Sequence, residues 1–72
     1  QEGKGKILSL NCDNVDDVLL LEGRTSTELK YLLSPYELVF IDEAQRVKNI
    51  GLTLKMIGDL KLETQVVVTG SS

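Results

Sequence analysis

Glu37-Leu38-Val39-Phe40-Ile41-Asp42-Glu43-Ala44-Gln45 is the stretch whose reading decides the fold. Leu38 to Ile41 is a short, unbroken apolar run, β-branched and aromatic at its centre. Without polar alternation, such a run predicts a strand buried on both faces, and sheets covered on both faces are mainly parallel. Asp42 and Glu43 follow at once, so two carboxylates stand at the strand's C-terminal end. Open α/β sheets place their ligands in the crevice at that end.

Working outward, the flanking segments alternate helix and strand. Upstream, Thr25 and Glu28 have the spacing of a capping box, and Leu29, Leu32 and Leu33 line one face of the helix they begin. Pro35 stops that helix, because the residue before a proline is pushed out of the helical region. A shorter helix over Val15–Leu21 is capped by Asp13 or Asn14, and Gly23 ends it. Ile7-Leu8-Ser9-Leu10 is a first strand, preceded by a loose polar lead-in over Gln1–Lys6. Downstream, Arg46-Val47-Lys48-Asn49 reads as a polar connection, with Asn49 as cap for a helix from Ile50 to about Lys61. Ile50, Leu54, Ile57 and Leu60 or Lys61 trace its inner face, and Gly51 and Gly58 weaken it or mark close packing on a strand. Gln65-Val66-Val67-Val68-Thr69 is the last strand, and Gly70-Ser71-Ser72 a small, flexible end.

Strands separated by helical crossovers pair in parallel. The fold expected is α/β: a three-stranded parallel sheet in sequential order, with the helices on one face because successive crossovers share one hand. Yet Leu38–Ile41 and Val66–Val68 are apolar at every position. Half of those side chains must point to a face that this chain leaves bare, which implies a missing layer.

Composition narrows the chemistry. The 72 residues suit one small domain, with 26% charged residues and a net charge of −3. No basic run argues for nucleic acid. Histidine is absent, which excludes histidine catalysis and histidine metal sites within this sequence. Cys12 is the one cysteine, so it has no internal disulfide partner and fits a reduced setting. No apolar run approaches the roughly 20 residues that span a bilayer, and no signal-peptide pattern opens the chain, so the expectation is a cytoplasmic protein without membrane contact. The first residue is not methionine and the last strand is followed at once by the end, so a piece of a longer protein is expected.

The Asp42–Glu43 pair admits two readings. A buried strand that delivers Asp-Glu to a crevice is the Walker B arrangement: the first acid holds Mg²⁺ directly or through water, and the second orients or deprotonates a water that attacks a phosphate. The same acids also suit the solvated start of a helix. Thr69-Gly70-Ser71 ends the next strand at the same edge of a parallel sheet. Its hydroxyls are placed to touch a γ-phosphate or the attacking water, or they belong to an ordinary turn.

Leu38-Val39-Phe40-Ile41-Asp42-Glu43-Ala44-Gln45-Arg46-Val47, followed by a helix and by Val66-Val67-Val68-Thr69-Gly70-Ser71-Ser72, resembles the AAA-type P-loop ATPases of bacteria and archaea, in the group that usually carries a C-terminal domain of unknown function. Ile7–Asp13 is similar to that group's second core strand, so the likeness covers nearly the whole chain as a partial P-loop NTPase core. The resemblance implies ATP and Mg²⁺ as ligands, Asp42 as the Mg²⁺-associated acid, Glu43 as the catalytic base, and Thr69 as the sensor residue, with Ser71 a second candidate. Gln45 and Arg46 would face the nucleotide site or a neighbouring subunit of a homo-oligomer. The departure is large: no Gly-x-x-x-x-Gly-Lys-[Ser/Thr] phosphate loop occurs in this sequence. In the family it lies upstream, on a strand beside the one at Val66–Thr69, so the Walker A half of the parent protein is an implied partner. ATPase activity then belongs to the intact parent, and this piece alone is expected to bind Mg–ATP weakly or not at all.

Three other readings use the same residues. Asp42–Asn49 and Thr69-Gly70-Ser71 are similar to motifs II and III of helicase-like translocases, whose partner would be nucleic acid. Asp42 and Thr69 at neighbouring strand ends resemble a phosphoacceptor receiver, but only Asp13 supplies part of the required earlier acidic pair. A non-catalytic interaction fragment is the last.

Overall fold

The computed structural model describes residues 5–70. Strand β1 (Ile7–Asn11) leads through helices α1 (Val15–Leu21) and α2 (Ser26–Leu33) to strand β2 (Leu38–Asp42). A single 3₁₀ turn (Ala44–Arg46), helix α3 (Ile50–Leu60) and strand β3 (Gln65–Val68) complete the order. The strands form a parallel three-stranded sheet in the order β1-β2-β3, the α/β arrangement expected from the sequence.

Local signals explain where the helices start. The Asn14 side chain accepts the Asp16 N–H at 2.9 Å and caps α1. The capping box of α2 is complete: Thr25 Oγ1 accepts from the Glu28 N–H at 3.2 Å, and Glu28 Oε1 accepts from the Thr25 N–H at 2.9 Å. Such a cap contributes about 1 kcal/mol. The α3 cap differs from expectation. Asn49 sits at φ 59°, in the left-handed region, and its side chain makes no capping bond. Asparagine is used here for its tolerance of that conformation, not as an acceptor.

The register puts Leu8, Val39 and Val66 in one row, and Leu10, Ile41 and Val68 in the next row on the same face. Leu10, Val39 and Ile41 are buried in one core with Leu21 from α1, Leu29 and Leu33 from α2, and Ile57 from α3. All three helices therefore cover this face, and α2 packs on α3. Each fully buried leucine or isoleucine here stabilises the fold by roughly 1.5–3 kcal/mol.

The opposite face carries Ile7, Leu38, Phe40 and Val67. Ile7 is 57% and Phe40 39% exposed. The strands are thus apolar on both faces in sequence but covered on one.

Three details depart from the sequence reading. Val47 is buried, because the 3₁₀ turn swings the supposedly polar connection into the core. Thr53 is buried on the inner face of α3, a position that the expected row of Ile50, Leu54, Ile57 and Leu60 or Lys61 did not include. Gly51 and Gly58 mark no close packing, since a Cβ on either would meet open space.

Candidate functional site

The C-terminal edge of the sheet gathers the polar residues. The backbone first explains how. β2 ends at Asp42, whose alternation directs it, like Phe40, toward the uncovered face. The next residue, Glu43, adopts φ 55° and ψ 43°. A left-handed conformation costs a non-glycine residue roughly 1–2 kcal/mol. That single torsion turns the chain out of the strand, buries Ala44, and brings the Ala44 N–H to the Thr69 carbonyl at 3.1 Å. The Thr69 N–H donates to the Ile41 carbonyl at 2.9 Å, so the ends of β2 and β3 are laced together on both sides of Asp42. Strained non-glycine backbone concentrates where side chains must be aimed.

The side chains then form a short network. Thr69 Oγ1 donates to Asp42 Oδ1 at 2.7 Å. The Glu43 N–H donates to the same Oδ1 at 2.9 Å. Gln45 Nε2 donates to Glu43 Oε1 at 2.7 Å. Among the described residues no donor reaches Asp42 Oδ2 or Glu43 Oε2, and Asp42 is exposed. Each carboxylate is therefore oriented through one oxygen while the other stays open as an acceptor.

The sequence-predicted residues fall out as follows. Asp42, Glu43, Gln45 and Thr69 are brought together, although Thr69 lies one residue beyond β3 rather than inside it. Gln45 turns its amide to Glu43. Arg46 Nε instead pairs with Asp13 Oδ1 at 3.0 Å across the tops of β1 and β2. With side chains 63% and 52% exposed, that pair contributes at most about 1 kcal/mol. Ser71 lies outside the described residues, as does Ser72.

Gly70, in the small polar end of the sequence reading, is exposed but closely approached by its neighbours. Its φ is 155°, and a Cβ there would fall on Gln45 Oε1 and 3.2 Å from the Ala44 nitrogen. The one available signal was a glycine placed directly after the strand-end threonine.

Cys12 lies buried at the same edge. Burial pushes its thiol above the ordinary range, and the charges of Asp17, Asp13 and Asp42 push the same way. A thiol held protonated is a poor nucleophile.

A divalent cation can be tested against this donor set. Among the described residues no three histidine, cysteine or carboxylate side chains converge as a metal cage. Mg²⁺ does not need one, since it is commonly held by one or two carboxylates together with waters and substrate phosphates. One exposed carboxylate with a free, oriented oxygen fits that requirement.

Among the described residues, no helix is long and apolar enough to cross a membrane. A family model described as "AAA domain" matches residues 1–72. No curated protein and no solved structure matches the chain.

Proposed function

The chain belongs to the AAA domain family, a family of nucleotide-binding ATPases, and from that membership we propose that its sheet edge is the acid-and-sensor half of an ATP-hydrolysing site. Asp42 is the Walker B acid that supports Mg²⁺, Glu43 the general base, and Thr69 the sensor hydroxyl. The observation that carries this reading is the bond from Thr69 Oγ1 to Asp42 Oδ1 at 2.7 Å, which joins the ends of two neighbouring parallel strands beside a second carboxylate.

Mg²⁺, when bound, neutralises charge on the phosphates. The chain's own residues do the rest. Two donors pin Asp42 Oδ1, so Oδ2 is presented in a constant direction for the cation or its waters. Glu43 accepts the proton of a water as the water oxygen bonds to the γ-phosphorus and the bridge to ADP breaks. Thr69 can reorient its hydroxyl from Asp42 to a γ-phosphate oxygen or to that water, because a hydroxyl rotates freely about its C–O bond.

The 72 residues contain no Gly-x-x-x-x-Gly-Lys-[Ser/Thr] motif, so in this reading the phosphate-loop amides and lysine are supplied by the Walker A half of the parent protein. The bare row of Ile7, Leu38, Phe40 and Val67 is where that part of the protein packs.

The test is Glu43→Gln in the full-length protein, read by single-turnover hydrolysis with bound nucleotide measured separately. Glutamine keeps the shape and reach of the side chain but not its basicity. Hydrolysis falls by roughly 10²–10⁴-fold, the usual range for a lost general base, while nucleotide stays bound. Wild-type turnover would leave Asp42 and Glu43 as helix-start acids and remove the assignment.

A further inference from the structure

The geometry points to Gln45 as the positioning residue of the Glu43 carboxylate, with Gly70 left bare to make room for it. This role rests on Glu43 being the base.

Glu43 leaves a left-handed backbone on a side chain with three rotatable bonds, so its direction must be set by something else. Among the described residues the donor that reaches its carboxylate is Gln45 Nε2, at 2.7 Å. A carboxylate only accepts hydrogen bonds, so the amide nitrogen faces Glu43 and the amide oxygen faces away. That oxygen occupies the space where a side chain on residue 70 would begin. The exposed Gln45 side chain thus reaches between Glu43 and Gly70, just past the end of β3. The Ala44 N–H, bonded to the Thr69 carbonyl at 3.1 Å, ties the same two segments through the backbone.

The consequence is a constant spacing between base and sensor. Thr69 and Gly70 are adjacent, so the residue that bonds Asp42 neighbours the one that the Gln45 amide lies against. A neutral amide suits this task. It selects one rotamer of the carboxylate without neutralising it and without competing for the proton that Glu43 takes. A Cβ at position 70 would displace the Gln45 amide oxygen from where it lies, and with it the donor to Glu43, in addition to straining the backbone angle of Gly70.

The experiment measures kcat and KM for ATP hydrolysis by the full-length protein carrying Gln45→Met, Gln45→Ala, Gly70→Ala, or Gln45→Ala with Gly70→Ala. Gln45 is exposed, so neither replacement of it threatens the fold. Methionine keeps the length and packing of glutamine and removes the donor. We expect kcat to fall roughly 10- to 100-fold in Gln45→Met and Gln45→Ala alike, the scale of a misplaced catalytic group, with KM unchanged. Gly70→Ala lowers kcat too, through the displaced amide and through its strained backbone, and the double variant is less impaired than the product of the single effects, because the part that passes through Gln45 is shared. Wild-type kcat in Gln45→Met would reduce Gln45 to packing and overturn the inference. So would a raised kcat, which would make Gln45 a brake, or effects that simply multiply. Loss of turnover in Glu43→Gln alongside wild-type Gln45→Met rejects this inference alone. Wild-type turnover in Glu43→Gln rejects the base assignment beneath it.

Discussion

The two ends of the sheet handle the same kinds of residue in opposite ways. At the N-terminal end, polar side chains serve the backbone. Thr64 Oγ1 shares its one proton between the carbonyls of Leu33 at 3.1 Å and Tyr36 at 2.7 Å, closing the turn before β3 on the end of α2. Glu37 Oε1 accepts the Gly5 N–H at 2.6 Å. At the C-terminal end, five residues after Thr64, Thr69 bonds instead to a carboxylate, and Gln45 bonds to another. Polar groups at the first end are consumed in holding the chain. At the second, Asp42 also accepts a backbone N–H, but Thr69 and Gln45 bond to carboxylates, each of which keeps an oxygen that no donor reaches among the described residues. Two threonines flanking one strand thus separate stability from chemistry, and the left-handed Glu43 falls at the second end.

The strongest way to break this comparison is Asp42→Ala in the full-length protein. Turnover should collapse, and nucleotide affinity in the presence of Mg²⁺ should drop roughly 10- to 100-fold, the scale of disturbing a metal's support, as read by titration with labelled nucleotide. Affinity measured without Mg²⁺ should be unchanged. An equal loss with and without the metal would mean that Asp42 serves the fold.

The threonine pair sharpens the contrast at a smaller scale. Thr64→Ala should lower stability by about 0.5–1.5 kcal/mol in denaturant unfolding, because the turn loses the hydroxyl proton shared between the Leu33 and Tyr36 carbonyls, and leave kcat intact. Thr69→Ala should do the reverse: turnover falls about tenfold, the effect of one hydrogen bond of ~1.4 kcal/mol, with unfolding hardly moved. Matching outcomes for the two variants would erase the distinction between the ends.

The smallest expected effect is on the strained backbone. Glu43→Gly should raise stability by about 0.5–1 kcal/mol, since glycine adopts the left-handed conformation without a Cβ clash, while turnover is lost with the carboxylate. A destabilised Glu43→Gly would show that the Gln45 bond outweighs the torsion.

Much of the fold was legible because it depends on short-range rules. The Thr25–Glu28 box and the Asn14 cap act within a few residues and appear as expected. Helix α2, by contrast, ends before Pro35 with Ser34 still helical at φ −56° and ψ −34°, so the proline stops the helix without pushing its neighbour out of the helical region. The Asn49 cap was misread because asparagine serves both as an acceptor and as a tolerant left-handed residue, and composition does not separate the two roles. Val47 was misread as surface because no periodicity extends over a single 3₁₀ turn. The bare sheet face was also legible, since apolar residues at consecutive strand positions cannot all face one core.

By itself, then, the amino-acid sequence determined the helix and strand order, the parallel pairing that long crossovers require, and the delivery of Asp42, Glu43 and Thr69 to one sheet edge. These follow from hydrophobic periodicity and chain geometry, which are local or topological. Only the tertiary structure decided what the edge residues do to one another. The left-handed torsion at Glu43 has no local signal, because glutamate does not favour it; it is sustained by the Ala44 bond to Thr69, 25 residues away. The Thr69–Asp42 bond spans 27 residues, and the space that Gln45 takes from Gly70 exists only once β3 lies beside β2. Contacts of that reach are set by how strands are brought together in three dimensions, so the aim of each carboxylate could be read only from the folded chain.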